Sequence, residues 1–183
     1  MKIRHAYIRL WDKYNEGWRG IVLYAVLGIA AAVILNAVFG LILGTSFPVV
    51  TVSSSSMVPT LNVGDLVIVG SQKTYEIEDI IVFRGWESKP IIHRVVAKYE
   101  NGRVTRREGW NEISDADIQH KAGDAETIYI TRGDHNPSCD QCGGGRPPVR
   151  QEQIAGRSLF HVPYLGFVKL YAVQYVWNPL TGR

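Results

Sequence analysis

Twenty-three residues without a charge, IVLYAVLGIAAAVILNAVFGLIL, run from Ile21 to Leu43 and include a single amide, Asn36. At ~1.5 Å per residue they form about 35 Å of helix, enough to cross a hydrocarbon core ~30 Å thick. Secretory signals carry apolar stretches of only ~7–15 residues, so this segment reads as an uncleaved anchor. The small triplet Ala30-Ala31-Ala32 lies mid-span, where a peptidase has poor access. Beyond the anchor the apolar runs shorten. Asp65 to Val69, Ile80 to Phe83, Ile91 to Ala97 and Ile128 to Thr131 are β-branched-rich and separated by Gly, Asn, Asp or Pro, the pattern of strands. Asn101-Gly102, between VVAKYE and RVTRR, predicts a two-residue hairpin turn with positive φ at both positions. No helical period of convincing length appears before the C-terminus, so the domain is expected to be mainly β. Residues 164 to 177, YLGFVKLYAVQYVW, are too short for a second span and are expected to be a core or interfacial piece. PSCDQCGGGRPP, residues 137 to 148, reads as a surface loop.

Charge alters this picture at one end only. Residues 1–20 carry Lys2, Arg4, Arg9, Lys13 and Arg19 against Asp12 and Glu16, an excess as large as the +3 of all 183 residues. The remainder is neutral, which argues against a nucleic-acid partner, since such a partner needs a basic face on the folded domain. The positive-inside rule leaves residues 1–20 as a cytoplasmic basic segment, 21–44 as the transmembrane anchor and 45–183 as an extracytoplasmic domain. Trp11 and Trp18 suit the near interface. Ile3, Ala6, Tyr7, Leu10 and Trp11 have helical spacing, so residues 3–13 form either an amphipathic surface helix or a disordered basic tail.

Four serines follow the anchor, in SSSSMVPTL, residues 53 to 61. Taken alone such a run is a linker. A serine becomes a nucleophile only beside a base that takes its proton. Ser56 is the best placed of the four, ahead of Met57 and the stiff Pro59-Thr60 pair. The base expected for it is His93, in KPIIHRVVA, since imidazole titrates near ~6.5. The ordinary alternative is a histidine satisfied within the strand; His161 is the serious rival. TRGDHNPSCD supplies two carboxylates, Asp134 and Asp140, either of which can orient an imidazole.

SSSSMVPTLNVGDLVIV, DIIVF, IIHRVV and TRGDHN, in that order after one anchor, resemble the successive boxes of type I signal peptidases, membrane-bound serine proteases that remove signal peptides from exported proteins. The resemblance spans about residues 20 to 168, including VPYLG, and rests on motif order. His93 stands where most bacterial members have lysine, which resembles the branch found in archaea, the endoplasmic reticulum and some spore-forming bacteria. The resemblance implies a coiled β-sheet domain on the membrane surface, in the cell membrane or, in a eukaryote, the endoplasmic reticulum membrane. It implies Ser56 as nucleophile, His93 as base, Asp140 as acid and Asp134 as a second carboxylate of the site. The Ser56 backbone N–H and the Ser54 hydroxyl match the oxyanion donors, and Val52, Met57, Leu61, Ile91 and Ile92 match the pocket for small side chains. The expected partners are preproteins with signal peptides and membrane lipid, with the translocon or accessory subunits as further candidates; no cofactor or metal is expected. Cys139 and Cys142 bracket Asp140 outside the family pattern; a disulfide or free thiols fit better than a metal, for which a second ligand pair is wanting. Two alternatives differ in kind. An inactive membrane-tethered β-module of a secretion complex would need none of these groups; a self-cleaving repressor would use Lys73 or Lys89 and carry a DNA-reading helix-turn-helix.

Overall fold

The computed structural model describes residues 17–143, 145–172 and 175, and the chain divides into two compact units after residue 42. The first is dominated by helix α1 (Trp18–Leu43), 26 residues with no charge beyond Arg19. Its length of about 39 Å exceeds the hydrocarbon core, and its apolar side chains lie open on all sides, Leu41 at 84% exposure. Among the described residues it is the one helix long and apolar enough to cross a membrane. The expectations for residues 3–13 and Trp11 fall outside the described residues.

The second unit is mainly β. Its strands are β1 (Val49–Thr51), β2 (Leu66–Gly70), β3 (Ile80–Phe83), β4 (Ile91–Glu100), β5 (Arg103–Arg106), β6 (Thr127–Arg132), β7 (Val149–Arg150) and β8 (Ile154–Val162). They form one sheet ordered β1-β2-β8-β3-β4-β6-β7, with β5 paired to β4. β4 organises the sheet. One edge pairs first with β3 and then with β5, while the other pairs with β6. The register slips at Ile68/Val69, Val82/Phe83 and Val95/Ala97. Each such bulge bends its strand and sharpens the twist, so the sheet coils rather than lying flat. The β4–β5 hairpin turns on Asn101 and Gly102, at φ 50° and 84°, as the sequence predicts.

Three buried clusters fill the coil. Val96, Ala97, Ile118, Ile128 and Ile130 form one; Tyr75, Ile81, Phe83, Val95 and Tyr129 a second; Val52, Met57, Leu61, Val67, Val69 and Val82 a third. One element departs from the sequence reading. Helix α2 (Asp115–Ala122) is capped by Ser114, whose hydroxyl accepts the Asp117 N–H at 3.1 Å. Only Ile118 and Ala122 of its residues are buried, too few to register as a period. The segment expected as a core or interfacial piece includes helix α3 (Gly166–Ala172), and Tyr164, Val168 and Tyr171 are more than half exposed, as an interfacial piece would be rather than a core one.

Candidate active site

Hydrophobic residues on either side pin the serine loop. Val52 precedes it, Met57 and Leu61 follow it, and all three are at most 4% exposed. Burying each large side chain contributes about 1.5–3 kcal/mol. The loop closes where the Val52 N–H donates to Asp65 O and the Gly64 N–H to Val52 O, both at 2.9 Å. The buried Asp65 carboxylate accepts the Asn62 N–H at 2.9 Å and the Tyr164 N–H at 3.3 Å. The Gly-Asp pair of the serine box is therefore the clasp of the loop. From behind, the turn after β6 supports Ser56. The His135 N–H donates to Ser56 O at 2.8 Å. A Cβ on Gly133 would stand 2.6 Å from that carbonyl oxygen, so glycine is what permits the approach.

Successive side chains leave a strand on opposite faces, and β4 uses this at His93 and Arg94. His93 is buried, with Nε2 3.1 Å from Ser56 Oγ and Nδ1 2.6 Å from Asp140 Oδ2. Ser54 Oγ lies 3.2 Å from Ser56 Oγ. Hydroxyl, imidazole and carboxylate thus stand in contact, the arrangement that lets a serine give up its proton as it attacks. Arg94 is bound on the other side. Its Nε and Nη2 donate to Asp134 at 2.8 and 2.6 Å, and Thr60 Oγ1 donates to the same carboxylate at 2.5 Å. Burial pushes the Asp134 carboxyl up, but the bonds from Arg94 and Thr60 and the charges of Arg94 and Arg107 outweigh it and hold it below the ordinary carboxylate value. The hydrogen bond to Asp134 in turn raises Arg94, against the opposing effect of burial.

The other sequence candidates are dispersed. His161 faces Asp65 at 3.9 Å from β8. Lys73 O accepts from Gln151, and Lys89 lies along the rim of the groove beside Ser56. That groove holds about 330 Å³ and is lined by Val52, Met57, Ile91 and Ile92. Leu61 lies behind Met57 in the third core cluster rather than on the groove wall. The sequence reading missed Trp86, Asn136 and Arg146, which also line it. The Arg146 guanidinium sits 4.8 Å over the Trp86 ring and 3.9 Å from Asp140 Oδ1. The Arg-Pro-Pro after three glycines was the available signal, a stiffened end to a flexible loop.

Cys139 and Cys142 are joined in a disulfide, with Cα atoms 5.2 Å apart, and Asp140 and Gln141 are the two residues inside that ring. Glu112 approaches both sulfurs. With the sulfurs joined and the Glu112 carboxylate held by Arg132 and by the Cys139 N–H, the group offers a metal no thiolate, so its donor chemistry does not fit one.

Comparison with known proteins identifies the family. The family described as signal peptidase, peptidase S26, matches residues 24–128. The signal peptidase complex catalytic subunit sec11 of Aspergillus terreus is 30% identical over 162 residues, 85% of this chain and 81% of the relative. The corresponding subunits of Ogataea parapolymorpha and Pyrenophora tritici-repentis are 25% and 28% identical, covering 81% and 83% of this chain and 81% and 90% of theirs. Serine loop, histidine strand and their order after one apolar helix coincide with the matched region, and the chain belongs to the signal peptidase family, peptidase S26.

Proposed function

We propose that this signal peptidase cuts preproteins by acyl transfer to Ser56, with His93 as general base and Asp140 as the carboxylate that orients it. The observation that supports this most is the unbroken series of contacts from Ser56 Oγ through both ring nitrogens to Asp140, at 3.1 and 2.6 Å. The serine oxygen attacks the scissile carbonyl as its proton passes to Nε2. His93 then protonates the leaving amine and activates water for deacylation. The Ser56 backbone N–H and the Ser54 hydroxyl receive the oxyanion, each worth about 3–4 kcal/mol of the barrier. Within the groove, the apolar wall of Val52, Met57, Ile91 and Ile92 accepts alanine-sized side chains, so cleavage follows a small-x-small pattern. Asp134 serves as the partner of Arg94, one strand face away from the reacting atoms.

The positive-inside rule supports an active site on the far side of the membrane, with the basic N-terminal segment in the cytoplasm. A substrate held by its own signal segment in the same bilayer then meets the enzyme at raised effective concentration. The relatives are named as catalytic subunits of a signal peptidase complex, and accessory subunits are proposed for this chain on that footing. Purified full-length protein in detergent, mixed with one preprotein, tests the mechanism. Ser56→Ala and His93→Ala are each expected to lower the cleavage rate by at least ~10³-fold while the circular dichroism of the fold is kept. Cleavage by either at the parent rate would refute it.

A further inference from the structure

Asp140 does not hold its orientation by itself. Its Oδ2, the oxygen that takes His93 Nδ1, also lies 2.7 Å from Thr131 Oγ1. Thr131 is fully buried at the end of β6, and its backbone is bound at both polar atoms by the disulfide ring. Its carbonyl accepts the Asp140 N–H at 2.8 Å, and its N–H donates to Gln141 Oε1 at 2.9 Å. The ring thus docks on Thr131 much as a neighbouring strand would, with a side-chain amide in place of one peptide group.

That docking decides which way the Thr131 hydroxyl points. Since Gln141 Oε1 accepts from a backbone N–H, the amide nitrogen is turned toward Thr131 Oγ1, 3.4 Å away, and toward Pro147 O at 3.5 Å. An amide N–H2 only donates, so it takes a lone pair of the hydroxyl and leaves the proton for Asp140. Gln141 is 1% exposed, which removes water as a competing partner. We infer that Thr131 and Gln141 are positioning residues of the proteolytic reaction: Gln141 fixes the Thr131 hydroxyl as a donor, and that donor fixes the Asp140 carboxylate in the plane that presents Oδ2 to His93. Neither residue touches substrate. The inference rests on the Ser56–His93–Asp140 mechanism above.

The test uses the full-length protein in detergent with one preprotein and separates kcat from KM. Thr131→Val removes the hydroxyl at nearly constant shape. Since a hydrogen bond to a charged group is lost, kcat is expected to fall about 10- to 100-fold with KM unchanged. Thr131→Ser, which returns the hydroxyl, is expected to restore most of that loss. Should the valine variant not fold, Thr131→Ala measured against Thr131→Ser gives the same contrast. A kcat equal to the parent's in a folded variant lacking the hydroxyl overturns the inference, as does a serine variant no better than valine, which would make the role one of packing. Ser56→Ala, run alongside, keeps the two readings apart. Cleavage surviving in that variant removes the mechanism itself, whereas an inert Ser56→Ala beside a fully active Thr131→Val removes only the positioning role.

Discussion

Asp134 and Asp140 lie six residues apart in one turn, yet each reaches a different face of β4. What divides them is the pairing of β4 with β6, which sets Arg94 opposite Arg132 and Val95 opposite Thr131. Ser56 and His93 were legible from residue type and motif order. The family resemblance put Asp140 forward as the acid, but residue type and spacing alone left it level with Asp134, because the choice depends on register between strands more than thirty residues apart. For the same reason nothing in the sequence singled out Thr131 or Gln141. Asp134 allows a test by pH. Its folded carboxyl lies below the ordinary value, so its ionised form contributes stability above about pH 4, and that contribution is lost as pH falls through the folded value. Asp134→Asn is expected to cost about 1–3 kcal/mol at pH 7, because Arg94 loses its charged partner. Urea melts at several pH values check this: the gap between parent and variant should narrow as pH falls below about 4, and a gap that stays constant with pH would exclude the linkage.

Among the elements, the strands that alternate or run apolar were readable with ends within a few residues, and the Asn101-Gly102 turn was readable outright. β8 was not. It sits between β2 and β3, but its core carries Gly156, Arg157 and Ser158, which break any alternating pattern. Gly156 is there because a Cβ would meet Gly70 O at 2.5 Å, a demand of the neighbouring strand that local sequence does not display. α2 escaped because its two-residue buried stripe is shorter than the window in which a period shows, although Ser114 at its N-cap and Gly123 after it were visible signs. The turn following β6 offers the sharpest element-level prediction. Gly133→Ala forces a methyl group against Ser56 O and the Asn136 side chain. Overpacking of this kind typically costs ~1–3 kcal/mol, and here it also displaces Ser56, the proposed nucleophile. The variant is expected to lose cleavage by at least ~10-fold, since 1.36 kcal/mol of barrier is a factor of ten. A thermal melt alongside the rate checks that the loss exceeds what partial unfolding explains.

For the molecule as a whole, an apolar helix and a coiled sheet belong to a signal peptidase in which Asp140, the proposed acid, is held in a four-residue disulfide ring. Closing so small a ring removes little entropy from the unfolded chain, so the bond contributes less to stability than one closing a long loop. Its main effect is local, on Asp140 and Gln141. Reduction is therefore expected to slow cleavage several-fold and to lower the melting temperature by less than loss of a long-loop bond would, with activity returning on reoxidation; a four-residue ring is worth about 2 kcal/mol against ~5 kcal/mol for a loop of about 100 residues. Equal activity with and without reductant would show that the Asp140 N–H to Thr131 O bond suffices. The adjacency of His93 and Arg94 on β4 has one more consequence. Sliding that strand by a single position past β3, where His93 now stands opposite Ile81, would swap every inward side chain for an outward one. Ser56 would then confront the Arg94 guanidinium or the Ile92 side chain, according to the direction of the slip. A misthreaded molecule can be compact and still wholly silent, so turnover per mole of purified protein doubles as a census of correctly zipped chains.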